Sequence, residues 1–254
     1  MGIEIEQFMC RSDNFGVLVH DPASGETASI DAPEAGPIVA ALERRGWRLT
    51  HVLVTHHHPD HTDGIGALKA LGAKVVGPAG EADRIRGLDR LVSGGDAFTV
   101  CGEAVEVIDT PGHTSGQIAY HMPGAARLFT ADALFSLGCG RVFEGTMEEM
   151  HASLQRLAAL PPATMIHCGH EYTASNARFA LTVDPDNAAL GARADEVMRL
   201  REREEPTLPV RLADELAQNP FLRPHDPAIR RTLGMEGAGD AAVFAELRRR
   251  KDAA

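Results

Sequence analysis

Residues 55–64 bring together side chains that are typical ligands of metal ions. Four histidines and two aspartates lie in the run Thr55-His56-His57-His58-Pro59-Asp60-His61-Thr62-Asp63-Gly64. Neutral imidazole and carboxylate groups suit zinc, iron and manganese. Successive side chains of an extended segment point to opposite sides. We therefore expect His56 and His58 to share one face, and His57 to point away, to solvent or into packing.

Three later segments each place one candidate ligand where an apolar run ends. His113 lies in a Pro-Gly turn, Asp132 directly follows an apolar run, and His170 stands beside a glycine. Together with the first run they give seven candidate ligands: His56, His58, Asp60, His61, His113, Asp132 and His170. Five imidazoles and two carboxylates exceed what one ion needs, and they suit two ions.

Other residues near these segments are predicted to have supporting roles. Asp31 and Asp109 each end a predicted strand and are candidates to orient a ligand histidine. Asp63 is expected to cap a following helix rather than to bind metal. Cys168, close to His170, is expected to be a small buried side chain.

The elements that must position these residues change in type along the chain. Hydrophobic patterning predicts strands at residues 3–8, 15–19, 27–30, 48–54, 74–77, 98–101, 104–108, 117–122, 127–130 and 164–166. Helices are predicted at 34–45, 64–71, 146–159, 174–181, 187–203, 210–217 and 239–250. This mixture favours an α/β protein with two sheets and outer helices. No strand is expected after residue 173, so we predict domains at 1–173 and 174–254, the second one helical.

The composition limits the classes of partner. The 254 residues are 44% hydrophobic and carry a formal net charge of −11, which disfavours binding to nucleic acid. We expect no signal peptide, and no apolar run approaches the roughly 20 residues of a membrane span. The four cysteines are scattered and are expected to be reduced, as in a cytoplasmic protein. A monomer without nucleic-acid or membrane partners is expected.

The T-H-x-H-x-D-H run at 55–61, with the later ligands, resembles the metallo-β-lactamase superfamily. Further motifs are similar to its hydroxyacylglutathione hydrolase (glyoxalase II) branch. These are Gly138-Cys139-Gly140-Arg141-Val142-Phe143-Glu144-Gly145-Thr146, Gly169-His170-Glu171-Tyr172-Thr173, Asn219-Pro220-Phe221-Leu222-Arg223 and Arg248-Arg249-Arg250-Lys251-Asp252. The resemblance covers nearly the whole chain. It implies an αββα metallo-β-lactamase-type sandwich, followed by a helical C-terminal domain that binds substrate.

The resemblance also implies a division of labour among the candidate residues. One ion would be held by His56, His58 and His113, and the other by Asp60, His61 and His170. Asp132 and a water or hydroxide would bridge the two divalent ions, for which zinc is the first expectation and iron or manganese the alternatives. Asp60 would also orient the hydroxide. Substrate would contact five positions: Arg141, Phe143, Tyr172, Arg248 and Lys251. Phe143 lacks the hydroxyl of the tyrosine found in some relatives.

The implied reaction is hydrolysis of the thioester of S-(2-hydroxyacyl)glutathione, such as S-lactoylglutathione, to glutathione and a 2-hydroxy acid. This activity serves methylglyoxal detoxification. Attack would come from a metal-bridged hydroxide. The alternatives are a mononuclear iron glutathione persulfide dioxygenase and a lactone hydrolase of the same fold. A further hypothesis is a non-catalytic metal-binding protein, for which a ligand is expected to be missing.

Overall fold

The computed structural model describes residues 2–254. The N-terminal part of the chain forms the first of two six-stranded sheets. Its strands, in their order across the sheet, are β1 (Glu4–Cys10), β2 (Asn14–His20), β3 (Thr27–Ile30), β4 (His51–Leu53), β5 (Lys74–Pro78) and β6 (Arg90–Val92). The first three are antiparallel, and β3 to β6 are parallel. Parallel pairing requires crossovers. Helices α1 (Ala35–Arg45), α2 (Pro59–Thr62) and α3 (Ile65–Ala70) lie in those connections.

The second sheet is built from later segments. Its first strands along the chain are β7 (Ala97–Val100), β8 (Glu103–Asp109), β9 (Ile118–Met122) and β10 (Arg127–Ala131). A small hairpin of β11 (Leu134–Phe135) and β12 (Gly138–Cys139) follows, then α4 (Met147–Ala158) and β13 (Met165–Cys168). Strands β10 and β13 are parallel, so their carboxyl ends, which precede Asp132 and His170, lie at the same edge of the sheet.

The C-terminal part is mainly helical. Its helices are α5 (Thr173–Val183), α6 (Ala188–Glu202), α7 (Leu212–Gln218), α8 (Pro227–Leu233) and α9 (Asp240–Asp252). The prediction of no strand after residue 173 is wrong, because β14 (Val210–Arg211) pairs with β13 and completes the order β14-β13-β10-β9-β8-β7. Two residues are too few for a hydrophobic alternation to be recognised.

Side chains alternate between the two faces of each strand, and this alternation distributes them between two hydrophobic cores. Val17 and Val19 of β2 belong to a cluster that also contains Val105 and Val107 of the other sheet, whereas Leu18 belongs to the cluster under α1 and α3. The core between the sheets continues into the C-terminal helices through Phe179, Phe221 and Phe244, and the Phe221 ring packs against the other two. The expected α/β sandwich followed by a helical part is confirmed.

Some local expectations fail. Gly64, not Asp63, occupies the N-cap position of α3, and the Asp63 carboxylate instead pairs with Arg11 at 2.5 Å. Strand β6 and helix α8 were not expected, since neither has a distinct periodic pattern. Within residues 2–254, no helix is both long and apolar enough to cross a membrane.

Candidate metal centre

All seven candidate ligands converge where strands of the two sheets end. His56 and His58 follow β4 in extended conformation, and Pro59 occupies the first turn of α2, which carries Asp60 and His61. Proline is well suited to that position because its missing N–H would have no partner there. The remaining three ligands follow β8, β10 and β13: His113, Asp132 and His170.

The first cluster, here the three-histidine group, consists of His56, His58 and His113. The Nδ1 atom of His58 lies 3.2 Å from Nε2 of His56 and 3.0 Å from Nε2 of His113. Zinc–nitrogen bonds of about 2.05 Å at tetrahedral angles place ligand nitrogens roughly 3.3 Å apart. The three nitrogens therefore have a spacing that suits a common ion.

The second cluster consists of Asp60, His61 and His170. Oδ2 of Asp60 lies 3.3 Å from Nε2 of His170 and 3.5 Å from Nε2 of His61. Asp132 stands between the two clusters. One of its oxygens is 3.3 Å from Nε2 of His170 and 3.4 Å from Nε2 of His113, and the other is 3.4 Å from Nε2 of His61. Asp132 therefore lies within 3.4 Å of ligand candidates from both clusters.

Hydrogen bonds on the far side of the rings fix the tautomers. His61 contacts Oδ2 of Asp31 through Nδ1 at 2.8 Å, and His170 contacts Oδ1 of Asp13 at 3.0 Å. The Nδ1 atom of His113 lies 2.9 Å from the carbonyl oxygen of Arg141. Protonation at Nδ1 leaves each Nε2 lone pair directed at the centre.

The expectation for Asp31 as such a partner is thus met, and that for Asp109 is wrong. The Asp109 carboxylate accepts a hydrogen bond from the backbone N–H of Gly94 at 2.7 Å and not from a ligand histidine. Sequence reasoning missed Asp13, which lies 157 residues from His170. It also missed Asn14, which donates to Oδ2 of Asp60 at 3.0 Å. Neither residue stands in a recognisable motif.

The electrostatics of the centre favour added positive charge. Burial lowers the pKa values of His56, His58 and His113, which keeps these imidazoles neutral as ligands must be. Burial also opposes the charged form of His170, but the carboxylates of Asp132 and Asp60 outweigh it and raise its pKa to about 10. A divalent cation placed between these groups supplies the charge that they attract.

Two observations show that the residues fit metal ions. The buried atoms Nε2 of His61 and Oδ1 of Asp132 have no hydrogen-bond partner, although unpaired buried polar atoms are costly. Gly169 also leaves room that a side chain would fill, because a Cβ atom there would lie 2.4 Å from Oδ1 of Asp132 and 2.9 Å from the His61 ring. Nε2 of His61 and Oδ1 of Asp132 lie 3.4 Å apart, a separation that a shared cation would accommodate.

A cavity of about 530 Å³ opens onto this centre, within the usual range for ligand pockets. Its wall includes ligands together with all five residues expected to bind substrate: Arg141, Phe143, Tyr172, Arg248 and Lys251. Tyr172 stacks on His170 with ring centroids 4.8 Å apart, and Phe143 lies 5.2 Å from the His113 ring. The apolar part of the wall is therefore adjacent to the metal ligands.

The three cationic side chains of the cavity wall differ in how far they are exposed and bound to other protein groups. The Arg141 side chain is 62% exposed, and its Nε lies 3.6 Å from Asp252. Lys251 is half-buried and donates to the carbonyl and hydroxyl oxygens of Ser175 at 3.1 and 2.9 Å. Arg248 is buried; its guanidinium donates to the Cys139 carbonyl at 2.7 Å and pairs with Asp252 at 2.9 Å.

His57 points away from the ligands into the protein, which is one of the two expected outcomes. Its Nδ1 lies 2.8 Å from Oε2 of Glu81, and its side chain is 10% exposed. Cys168 is buried, and its thiol donates to the carbonyl oxygen of His170 at 3.3 Å.

Comparison with known proteins extends these observations to the whole chain. Residues 12–170 match the family described as the metallo-beta-lactamase superfamily, and residues 171–254 match the hydroxyacylglutathione hydrolase C-terminus. The chain is 59% identical to the hydroxyacylglutathione hydrolase of Mesorhizobium japonicum over 253 residues, covering 99% of each chain. It is 58% identical to that of Brucella anthropi over 251 residues, covering 98% of this chain and 96% of the relative.

Solved structures of lower identity share the fold. The crystal structure of ETHE1 from Myxococcus xanthus superposes with a TM-score of 0.69 at 24% identity, covering 97% of this chain and 90% of that one. The BLEG-1 B3 metallo-beta-lactamase superposes with a TM-score of 0.67 at 19% identity, covering 87% of this chain and 100% of that one. These likenesses establish the architecture around the site.

Proposed function

The chain belongs to the hydroxyacylglutathione hydrolase family of the metallo-beta-lactamase superfamily, and from this premise we propose how its residues perform the reaction. The activity is hydrolysis of the thioester of S-(2-hydroxyacyl)glutathione to glutathione and a 2-hydroxy acid, as in glyoxalase II. The observation that carries this assignment is the 58–59% identity to such hydrolases along nearly the entire chain. The complete set of candidate ligands agrees with it.

The site binds divalent metal, and we assign two ions to it. The three-histidine group would hold one ion. The other ion would be held by Asp60, His61 and His170, and Asp132 would contact both ions. Zinc is our choice because neutral imidazoles dominate the donor set, whereas iron and manganese accept the same ligands. When bound, the ions supply hydroxide near neutral pH and polarise the thioester carbonyl.

The protein groups around the ions orient the nucleophile. Asp60 is anchored by Asn14, which donates to its Oδ2 at 3.0 Å and to its backbone carbonyl at 3.1 Å. An anchored carboxylate at this position can accept a hydrogen bond from the nucleophile and direct it at the carbonyl carbon. The leaving thiolate comes from a thiol with a pKa of about 8.5, so it departs without a strong general acid.

The cavity provides the groups that a glutathione thioester requires. Its two carboxylates would be met by Arg141 and Lys251, which both line the cavity and have more donors than their protein partners use. Burial raises the pKa of Tyr172, so its hydroxyl stays protonated and can donate to the ligand. Phe143 covers the acyl end by apolar contact. We assign Arg248 to the wall, where it holds the loop from Cys139 to Phe143 in place.

The remaining expectations concern the oligomeric state, the cellular location and the partners of the protein, and they agree with this function. We propose a monomer that acts in the cytoplasm on a small anionic thioester, without nucleic-acid or membrane partners. The net charge of −11 opposes binding to nucleic acid. The four buried free cysteines are typical of a reducing compartment.

The activity is tested by incubating the zinc-loaded protein with S-lactoylglutathione and measuring the release of free thiol. We expect rapid thiol release with this substrate and little turnover of a cephalosporin or a simple lactone. The absence of thiol release, together with oxygen uptake on glutathione persulfide by the iron-loaded protein, would instead identify the dioxygenase alternative. Turnover of a lactone without thiol release would identify the lactone hydrolase alternative.

A further inference from the structure

A buried carboxylate outside the reaction chemistry joins the two loops that carry the three-histidine group. Glu81 ends the short 3-10 helix Ala79–Glu81, and its side chain has no solvent exposure. Its Oε2 accepts hydrogen bonds from the backbone N–H of His57 at 2.6 Å and faces the ring Nδ1 of the same residue at 2.8 Å. Its Oε1 accepts from the backbone N–H of Gly116 at 3.1 Å and from the Thr114 hydroxyl.

These partners are the sequence neighbours of the metal ligands. His57 lies between His56 and His58, and Thr114 directly follows His113. Glu81 therefore binds both segments that supply the three-histidine group, on the side away from the ion. A buried carboxylate costs several kcal/mol unless it is fully hydrogen-bonded. The four donors must therefore stay within reach, which fixes the two segments relative to each other.

The loop geometry is adapted to this carboxylate. A Cβ atom at Gly116 would lie 2.6 Å from Cγ of Glu81 and 2.9 Å from the backbone of Gly80, so a side chain there would push the carboxylate away. The far side of the His57 ring faces a second carboxylate, with Nε2 3.5 Å from Glu144. His57 is thus held between two carboxylates and supports Glu81 from the opposite side.

We propose that Glu81 is a positioning residue that sets the spacing of the three-histidine group and thereby the affinity for the ion held there. The inference rests on the proposed function, because it requires a metal ion at that group. Loss of a hydrogen-bonding partner behind a metal ligand typically lowers metal affinity 10–100-fold. We expect an effect of that size at one of the two ions and little effect at the other.

The test is the substitution Glu81→Gln, which preserves size but turns an amide N–H₂ group towards one of the two donor pairs. Zinc is withdrawn from the full-length protein by a chelating dye of known affinity, and the two dissociation constants are fitted. The matched control is Glu215→Gln. Glu215 is also fully buried and accepts from Ser136 at 2.7 Å, from the backbone of Leu137 at 2.8 Å and from Asn219 at 2.9 Å.

The expected result is a 10–100-fold weaker affinity for one ion in Glu81→Gln, with both affinities unchanged in Glu215→Gln. Wild-type affinities in Glu81→Gln, or an equal loss in the control, would overturn the proposal. If Glu81→Gln does not fold, Glu81→Asp replaces it. This variant keeps the charge but shortens the side chain by one CH₂ group, so the carboxylate no longer reaches both segments, and wild-type zinc affinities in it would equally overturn the proposal. Failure of the proposed function is a separate outcome: the wild-type protein itself would then bind fewer than two ions.

Discussion

Lys251 provides the sharpest test of how the cavity recognises its ligand. Two of its three donors are engaged by Ser175, at 3.1 and 2.9 Å, and the residue lines the cavity, where its remaining donor can bind a carboxylate. A hydrogen bond between charged groups contributes about 1.5–3 kcal/mol. Lys251 is only half-buried, so solvent screening favours the lower limit. We therefore expect Lys251→Ala to raise KM for S-lactoylglutathione about tenfold, which corresponds to about 1.4 kcal/mol.

The same substitution should leave the chemical step intact. Lys251 contacts no metal ligand, so kcat should stay within about twofold and the metal content should not change, which is the pattern of lost uniform binding. The increase in KM should diminish at high ionic strength because charge pairs at partly exposed sites are screened. Lys74→Ala is the matched control, since Lys74 is exposed on β5 and does not line the cavity. An unchanged KM in Lys251→Ala would refute this account of substrate binding.

Three further predictions concern the support of the metal centre and the stability of the fold. Asp31→Asn should weaken metal binding 10–100-fold, because an amide N–H₂ group must then face a donor of His61 or Thr55; chelator competition measures the effect. Removing metal with a chelator should lower Tm by about 10 °C relative to protein with free zinc at about 1,000 times Kd, as scanning calorimetry would show. Acid should destabilise the fold through His167, whose pKa is lowered to about 3 by burial and by the charge of Arg127. Its unfolded pKa is about 6.5, so its neutral form stabilises the fold above that pH, and roughly 1 kcal/mol is lost between pH 7.5 and 5.5.

Each of these predictions has a contrary outcome. Tight zinc binding in Asp31→Asn would mean that the His61 ring is held by packing alone. A Tm that is indifferent to zinc would mean that the ligands do not take up metal in the folded state. For His167, chemical denaturation of His167→Gln at the two pH values is the comparison. An equal loss of stability in that variant and in the wild type would assign the acid sensitivity to other groups.

The fold could be inferred from the sequence where the local pattern was strong. The predicted strand at 27–30 coincides with β3, and the helix predicted at 146–159 differs from α4 by one residue at each end. The latter begins with a capping box in which Thr146 and Glu149 bond each other's backbone, a local signal. Strand β14 could not be inferred, since its two residues are a strand only because β13 lies beside them.

The candidate ligands could be recognised from the local sequence, whereas their supporting partners could not. The ligand candidates carry a local signal, because strand ends followed by histidine or aspartate are visible in one sequence. Asp13 and Glu81 support His170 and the loop of His57, but each is distant in sequence from its partner and lies in no motif. The packing of the two sheets brings Asp13 to His170, and the pairing of the neighbouring strands β4 and β5 brings Glu81 to His57. The expectation for Asp109 failed because position after a strand does not specify the direction of a side chain.

The central claim, a two-ion thioester hydrolase, is tested most directly by titrating the metal-free protein with zinc while measuring hydrolysis of S-lactoylglutathione. The seven-ligand centre predicts that activity rises until two equivalents of zinc per chain are bound and then stays constant. Full activity at one equivalent would contradict it. One tightly held iron per chain with oxygen consumption on glutathione persulfide would contradict it as well.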